Sequence, residues 1–163
     1  MRKPGLEIDE DLAFQVKEWR AQRVGIALLF LFVLGALLGL TGMGGPLSHG
    51  EAGDPDGAVR VEYARVVRRG NIATVTLHLR TGAPGDLHFW VAAPYLEQVK
   101  IDTVAPHPHT VSVAPGRHVY AIRSGSPEVT VVIEMEHKTV GRIQAEIGLV
   151  GGPSARFSQV SLF

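Results

Sequence analysis

Hydrophobic positions change their spacing once along this chain, from unbroken to alternating. From Val24 to Met43 the run VGIALLFLFVLGALLGLTGM passes twenty residues without a charge. As a helix rising about 1.5 Å per residue, it is roughly 30 Å long, the depth of one hydrocarbon core. The run predicts a transmembrane helix over residues 24–43. Ahead of it, Leu12, Val16 and Trp19 recur at spacings of three and four, the stripe of an amphipathic helix that starts near Asp9. Asp9 or Asp11 suits its cap, and early acids suit the positive end of its dipole. Residues 1–23 therefore form a short head that continues into the span.

From Ala58 onward the period is two. Val59, Val61 and Tyr63 alternate with Arg60 and Glu62; Ala73, Val75, Leu77 and Leu79 alternate with Thr74, Thr76 and His78. Further runs follow at Leu87–Val91, Val111–Val113, His118–Ile122, Val129–Met135, Ile143–Leu149 and Phe157–Leu162. Short alternating runs between Gly and Pro turns are an all-β signature. The fold class is mainly β: one amino-terminal transmembrane α-helix, then an immunoglobulin-like β-sandwich of seven to nine strands over 58–163. Between them, GGPLSHGEAGDPDG at 44–57 is rich in glycine, proline and acid, without periodicity, and reads as a flexible linker.

One pairing follows from the turn chemistry. Thr81-Gly82-Ala83-Pro84-Gly85 suits a five-residue hairpin loop, and Arg80 opposite Asp86 then sets Leu79 against Leu87 and His78 against His88. Apolar residues meet apolar ones throughout that register.

Charge fixes the expected orientation. Arg2, Lys3, Lys17, Arg20 and Arg23 precede the apolar run, whereas residues 44–59 contain no Lys or Arg. An excess of basic residues on one flank predicts that flank to be cytoplasmic, with the larger domain outside. Trp19, Arg20 and Arg23 fall at the interface as aromatic and basic anchors. The rival, a signal peptide cut near Gly42-Met43-Gly44, is disfavoured by the long acidic head and by an apolar run exceeding the usual 7–15 residues. Gly35, Gly39 and Gly42 share one helical face, where small residues let a second helix approach. That face points to another integral membrane protein, or a second copy, as partner.

Composition removes several classes. Sixteen Lys+Arg balance sixteen Asp+Glu, so the basic surplus of a nucleic-acid binder is missing. Without cysteine there is no disulfide, thiolate metal site or thiol nucleophile. No nucleophile elbow, HExxH or phosphate loop occurs, and the chain is expected not to be an enzyme. Glu134 and Glu136 share one strand face and read as solvated. Trp90, on the polar side of its strand, either packs under a loop or forms a contact patch with Tyr95 and Leu96. Histidine is the remaining chemistry. His107 and His109, each beside a proline in extended backbone, would face the same way; His78 and His88 would be cross-strand neighbours in the hairpin. Such pairs suit copper or zinc as an alternative to having no cofactor. His49, His118 and His137 stand alone.

The stretch EWRAQRVGIALLFLFVLGALLGLTGMGGPLS followed by a β-rich tail resembles bacterial single-pass inner-membrane proteins with a small periplasmic domain. The layout is similar to accessory subunits and copper-delivery factors of respiratory oxidases, although the cysteine ligands of the cysteine-containing factors are absent. The resemblance and the residues together give three expectations. The first is an accessory or assembly subunit acting by protein–protein contact within a larger membrane complex. The second is metal binding in the outer domain, and the third an envelope sensor driven by histidine protonation.

Overall fold

A computed structural model describes residues 12–38, 48–54 and 57–163. The head stripe and the charge-free run merge into one helix, α1 (Leu12–Leu37), unbroken at Arg23–Val24. No proline interrupts it, and its glycines are isolated. Every large apolar side chain described from Val16 to Leu37 is exposed, on all sides of the helix. A helix apolar all round belongs in a core or in lipid, and none of the described residues covers this one. It is long and apolar enough to cross a membrane. The expected caps at Asp9 and Asp11, the end of the span at 39–43, and Gly39 and Gly42 lie outside the described residues.

The other described residues form a two-sheet β-sandwich, as the alternation predicts, with ten strands after residue 58 rather than the expected seven to nine. Its strands are β1 (His49–Gly53), β2 (Val59–Ala64), β3 (Val66–Arg68), β4 (Ile72–Arg80), β5 (Gly85–Ala92), β6 (Val99–Ala105), β7 (Thr110–Ala114), β8 (Arg117–Ser124), β9 (Glu128–His137), β10 (Gly141–Leu149) and β11 (Ser154–Leu162). A short helix, α2 (Ala93–Gln98), separates β5 from β6. One sheet runs β1-β2-β4-β9-β6 and the other β3-β11-β10-β5-β8-β7. Val61, Leu77, Ile133 and Met135 from the first sheet meet Phe89, Ile122, Ile143 and Ile147 from the second in a single core. All eight are essentially without solvent contact. At about 1.5–3 kcal/mol per buried large aliphatic or aromatic side chain, this core is what a disulfide-free domain has to hold it.

Two expectations need correction. The β4–β5 hairpin does not form, because the 81–85 loop carries the chain from one sheet to the other. Alternation tells which residues point inward, and it does not tell which strand lies alongside. The true neighbours satisfy the same rule: Leu77 sits opposite Val61 on β2 and Val131 on β9. The charges also find other partners, Arg80 with Glu128 at 3.7 Å and Asp86 with Arg123 at 3.4 Å. Second, part of the expected linker is strand β1, antiparallel to β2 with His49 opposite Ala64. HGEAG has no β-branched residue to announce a strand. Gly50 leaves room for its neighbours there, since a Cβ would fall 2.7 Å from the Tyr63 ring and would require the Tyr63 and Arg65 side chains to shift.

Strand register defines the end of the sandwich at which the chain arrives from α1. The Ser48 carbonyl accepts the Arg65 N–H at 2.7 Å. Pairings of Ile72 with Glu136, Val99 with His137 and Leu162 with Arg68 bring the 65–71 segment, the β9–β10 turn, the start of β6 and the end of β11 to this entry end.

Candidate functional site

Just inside the entry end, three elements bring polar groups into the core. The inward phase of β9 runs Val131, Ile133, Met135, His137, and that of β11 runs Ala155, Phe157, Gln159, Ser161. Pro94 in the first turn of α2 helps set its φ, and the helix turns Tyr95 into the core. Tyr95, His137 and Gln159 each have 0% exposure. The Tyr95 hydroxyl donates to Gln159 Oε1 at 2.8 Å, and Gln159 Nε2 donates to the Ala64 carbonyl at 2.9 Å. The amide is thereby oriented, so His137 Nε2, 3.3 Å from Gln159 Oε1, must be the protonated nitrogen. One glutamine thus ties α2, β9 and the end of β2 to β11, across both sheets. Among the described residues, His137 Nδ1 and Ser161 Oγ are buried with no hydrogen-bond partner.

Burial pushes the His137 imidazolium pKa below the ordinary histidine value, and the Gln159 hydrogen bond only partly opposes it. Burial also lifts the Tyr95 phenol well above its usual range. Both groups are therefore neutral at pH 7. Below about pH 6.5 the unfolded chain takes up a proton at this histidine that the folded chain refuses. Stability is then present above the unfolded pKa and lost as pH falls towards the folded one, at up to about 1.4 kcal/mol per pH unit. The expected result is a lower denaturation midpoint at pH 5.5 than at pH 7.5, with the difference reduced in His137→Gln. An equal difference in both proteins would remove His137 as its source.

Tyr95 is also the floor of a surface groove of about 500 Å³ between α2 and the β10–β11 ladder. Arg142, Gln144, Glu146, Arg156 and Ser158 line it. Arg156 Nε holds Glu146 at 3.0 Å and Ser154 Oγ donates to the same carboxylate at 2.9 Å. Burial raises the Glu146 pKa, but the hydrogen bonds from Arg156 and Ser154 outweigh it and keep the carboxyl below its usual value. At neutral pH it is therefore an ionised acceptor for these two donors.

The residues singled out from the sequence are dispersed. Arg23 stacks its guanidinium on the Trp19 ring, 3.4 Å from the centroid, one helical turn away on α1. Arg20 lies exposed between them, and Gly35 sits near the end of α1. His78 and His88 are not neighbours. His78 alternates with buried Leu77 and Leu79 on one sheet, and His88 with buried Leu87 and Phe89 on the other, so they face outward on opposite sides. His78 instead meets Glu62 at 3.0 Å and Thr130 at 3.3 Å. His107 and His109 are both exposed on the β6–β7 connection. Among the described residues no three His, Asp or Glu side chains gather as metal ligands. Glu134 and Glu136 lie on an outer face, one exposed and one half-buried. Trp90 donates its Nε1–H to the Leu149 carbonyl at 3.1 Å, covered by the β10–β11 end, while Tyr95 is in the core, so no patch unites them. The buried Tyr95–Gln159–His137 set went unread, although His137 and Gln159 both fall on the inward phase of their strands.

Compared with known proteins, the chain matches no family model and no curated sequence.

Proposed function

We propose that this chain is a single-pass inner-membrane protein whose outer β-sandwich serves as an accessory or assembly subunit of a larger membrane complex, acting by contact rather than catalysis. The observation that carries the reading is α1. Its large apolar side chains are exposed along the whole described length, and their burial requires lipid or another helix. The five basic residues before the span, against none in 44–59, support an amino terminus in the cytoplasm and the sandwich in the periplasm. The stacked Trp19–Arg23 pair suits an interfacial girdle at the cytoplasmic boundary.

Affinity purification of the full chain in mild detergent tests the reading. A defined integral membrane partner is expected to accompany it. The Gly35→Leu/Gly39→Leu variant is expected to retain several-fold less of that partner, because the leucine side chains hold a second helix off the glycine face. A chain that migrates alone, with the variant indistinguishable from it, would exclude the subunit role.

A further inference from the structure

The two ends of the sandwich differ in how their cations are used. At the end away from Ser48, Arg80 pairs with Glu128 and Arg123 with Asp86, so charge there is largely cancelled. At the entry end, residues 65–72 and 138–142 contain Arg65, Arg68, Arg69, Lys138 and Arg142 and no acid. All five are exposed, and none makes an ion pair among the described residues. Large apolar side chains stand among them: Ile72 is 63% exposed, and Val140 and Leu162 are exposed as well. The carboxylates near this end are Glu51 and Glu62, which line one groove with Arg65, Glu136, opposite both Ile72 and Lys100, and Asp102, held by Lys100 at 3.1 Å; Glu97 lies on α2.

From these observations we propose that the entry end of the sandwich rests on the bilayer that α1 crosses, with anionic lipid headgroups as its partner. The inference rests on the reading of α1 as an uncut anchor. Unpaired Arg and Lys around protruding aliphatic side chains are what an anionic interface binds, the cations at phosphate level and the apolar tips just below. The tether reinforces this. Ser48 follows Leu38 by ten residue steps, at most roughly 35 Å at full extension. A basic surface held that close meets headgroups at high effective concentration. The sandwich thus sits end-on against the membrane, with the paired, neutral end turned away.

The chain has no cysteine, so single substitutions carry a fluorophore without background. Val140→Cys marks the entry end and Ala83→Cys the far end. Each full-length protein is placed in nanodiscs of phosphatidylcholine, alone or mixed with phosphatidylglycerol, with a quencher on the lipid headgroup. In the anionic discs the label at position 140 is expected to be quenched several-fold more than that at position 83. High salt, or the Arg68→Glu/Arg69→Glu/Lys138→Glu variant, is expected to remove the difference. Equal quenching at both positions overturns the proposal. So does quenching at position 140 that persists in neutral discs at high salt, which would mean an apolar contact without headgroup recognition. Shielding of position 140 that requires a co-purified protein also overturns it. Retention of the chain in the disc is scored first: a chain that does not stay there loses the anchor, and with it this proposal, whereas one that stays with unquenched labels loses only the proposal.

Discussion

Gln159→Ala is expected to destabilise the sandwich by about 3–5 kcal/mol, a large share of the stability of a domain this size. The side chain has 0% exposure, and its removal leaves the buried His137 Nε2–H without its acceptor, the Tyr95 hydroxyl with only the Met135 sulfur at 2.9 Å, and the part-buried Ala64 carbonyl without this donor. Each unsatisfied group costs roughly 1–3 kcal/mol, and the cavity adds to this unless the end of the sandwich collapses. Guanidinium titration followed through Trp90 fluorescence, in a Trp19→Phe background, measures the loss. Gln159→Met, which keeps much of the volume and none of the hydrogen bonds, separates the two contributions. A loss below about 1 kcal/mol for Gln159→Ala would mean that water reaches these groups and that the glutamine does not hold the sheets together.

The same glutamine illustrates what the sequence conceals. Period-two alternation identified the inward face of nearly every long strand, because burial of alternate side chains is a local property. Leu77, Phe89, Ile133 and Ile147 were all legible in that way, and all are in the core. Pairing is not local. Arg80 and Asp86 looked matched at a hairpin mouth, yet each found its ion partner on a strand more than thirty residues on, because both β4 and β5 bury one face against the opposite sheet. Short elements escaped for a different reason. β1 is glycine-rich, β3 has three residues, and α2 is a single long turn, too brief for any period to declare itself. The Tyr95–Gln159–His137 set needed both kinds of information. The phase of β9 and β11 already placed His137 and Gln159 inside, but only the packing of α2 against both sheets shows that they meet.

Replacing Leu31 and Leu34 together by arginine is expected to abolish stable membrane association while leaving the sandwich folded. Both positions lie well inside the charge-free run and are exposed on α1. An arginine deep in a spanning helix costs about 2.5–3.5 kcal/mol on insertion scales, so two cost about 5–7 kcal/mol. That shifts partitioning by some four to five powers of ten, at 1.4 kcal/mol per tenfold. Alkaline extraction of membranes reads the outcome: the parent chain stays with lipid and the double variant does not. Intact mass separates this from processing, because an uncut anchor retains the head with Trp19 and Arg23, and a cleaved leader loses both. The sandwich supplies the control, since its core includes no residue of α1 and its denaturation midpoint should be the same in both proteins. If alkali released the parent chain as readily as the variant, the exposed face of α1 would have to be covered by protein, and the membrane address would be withdrawn.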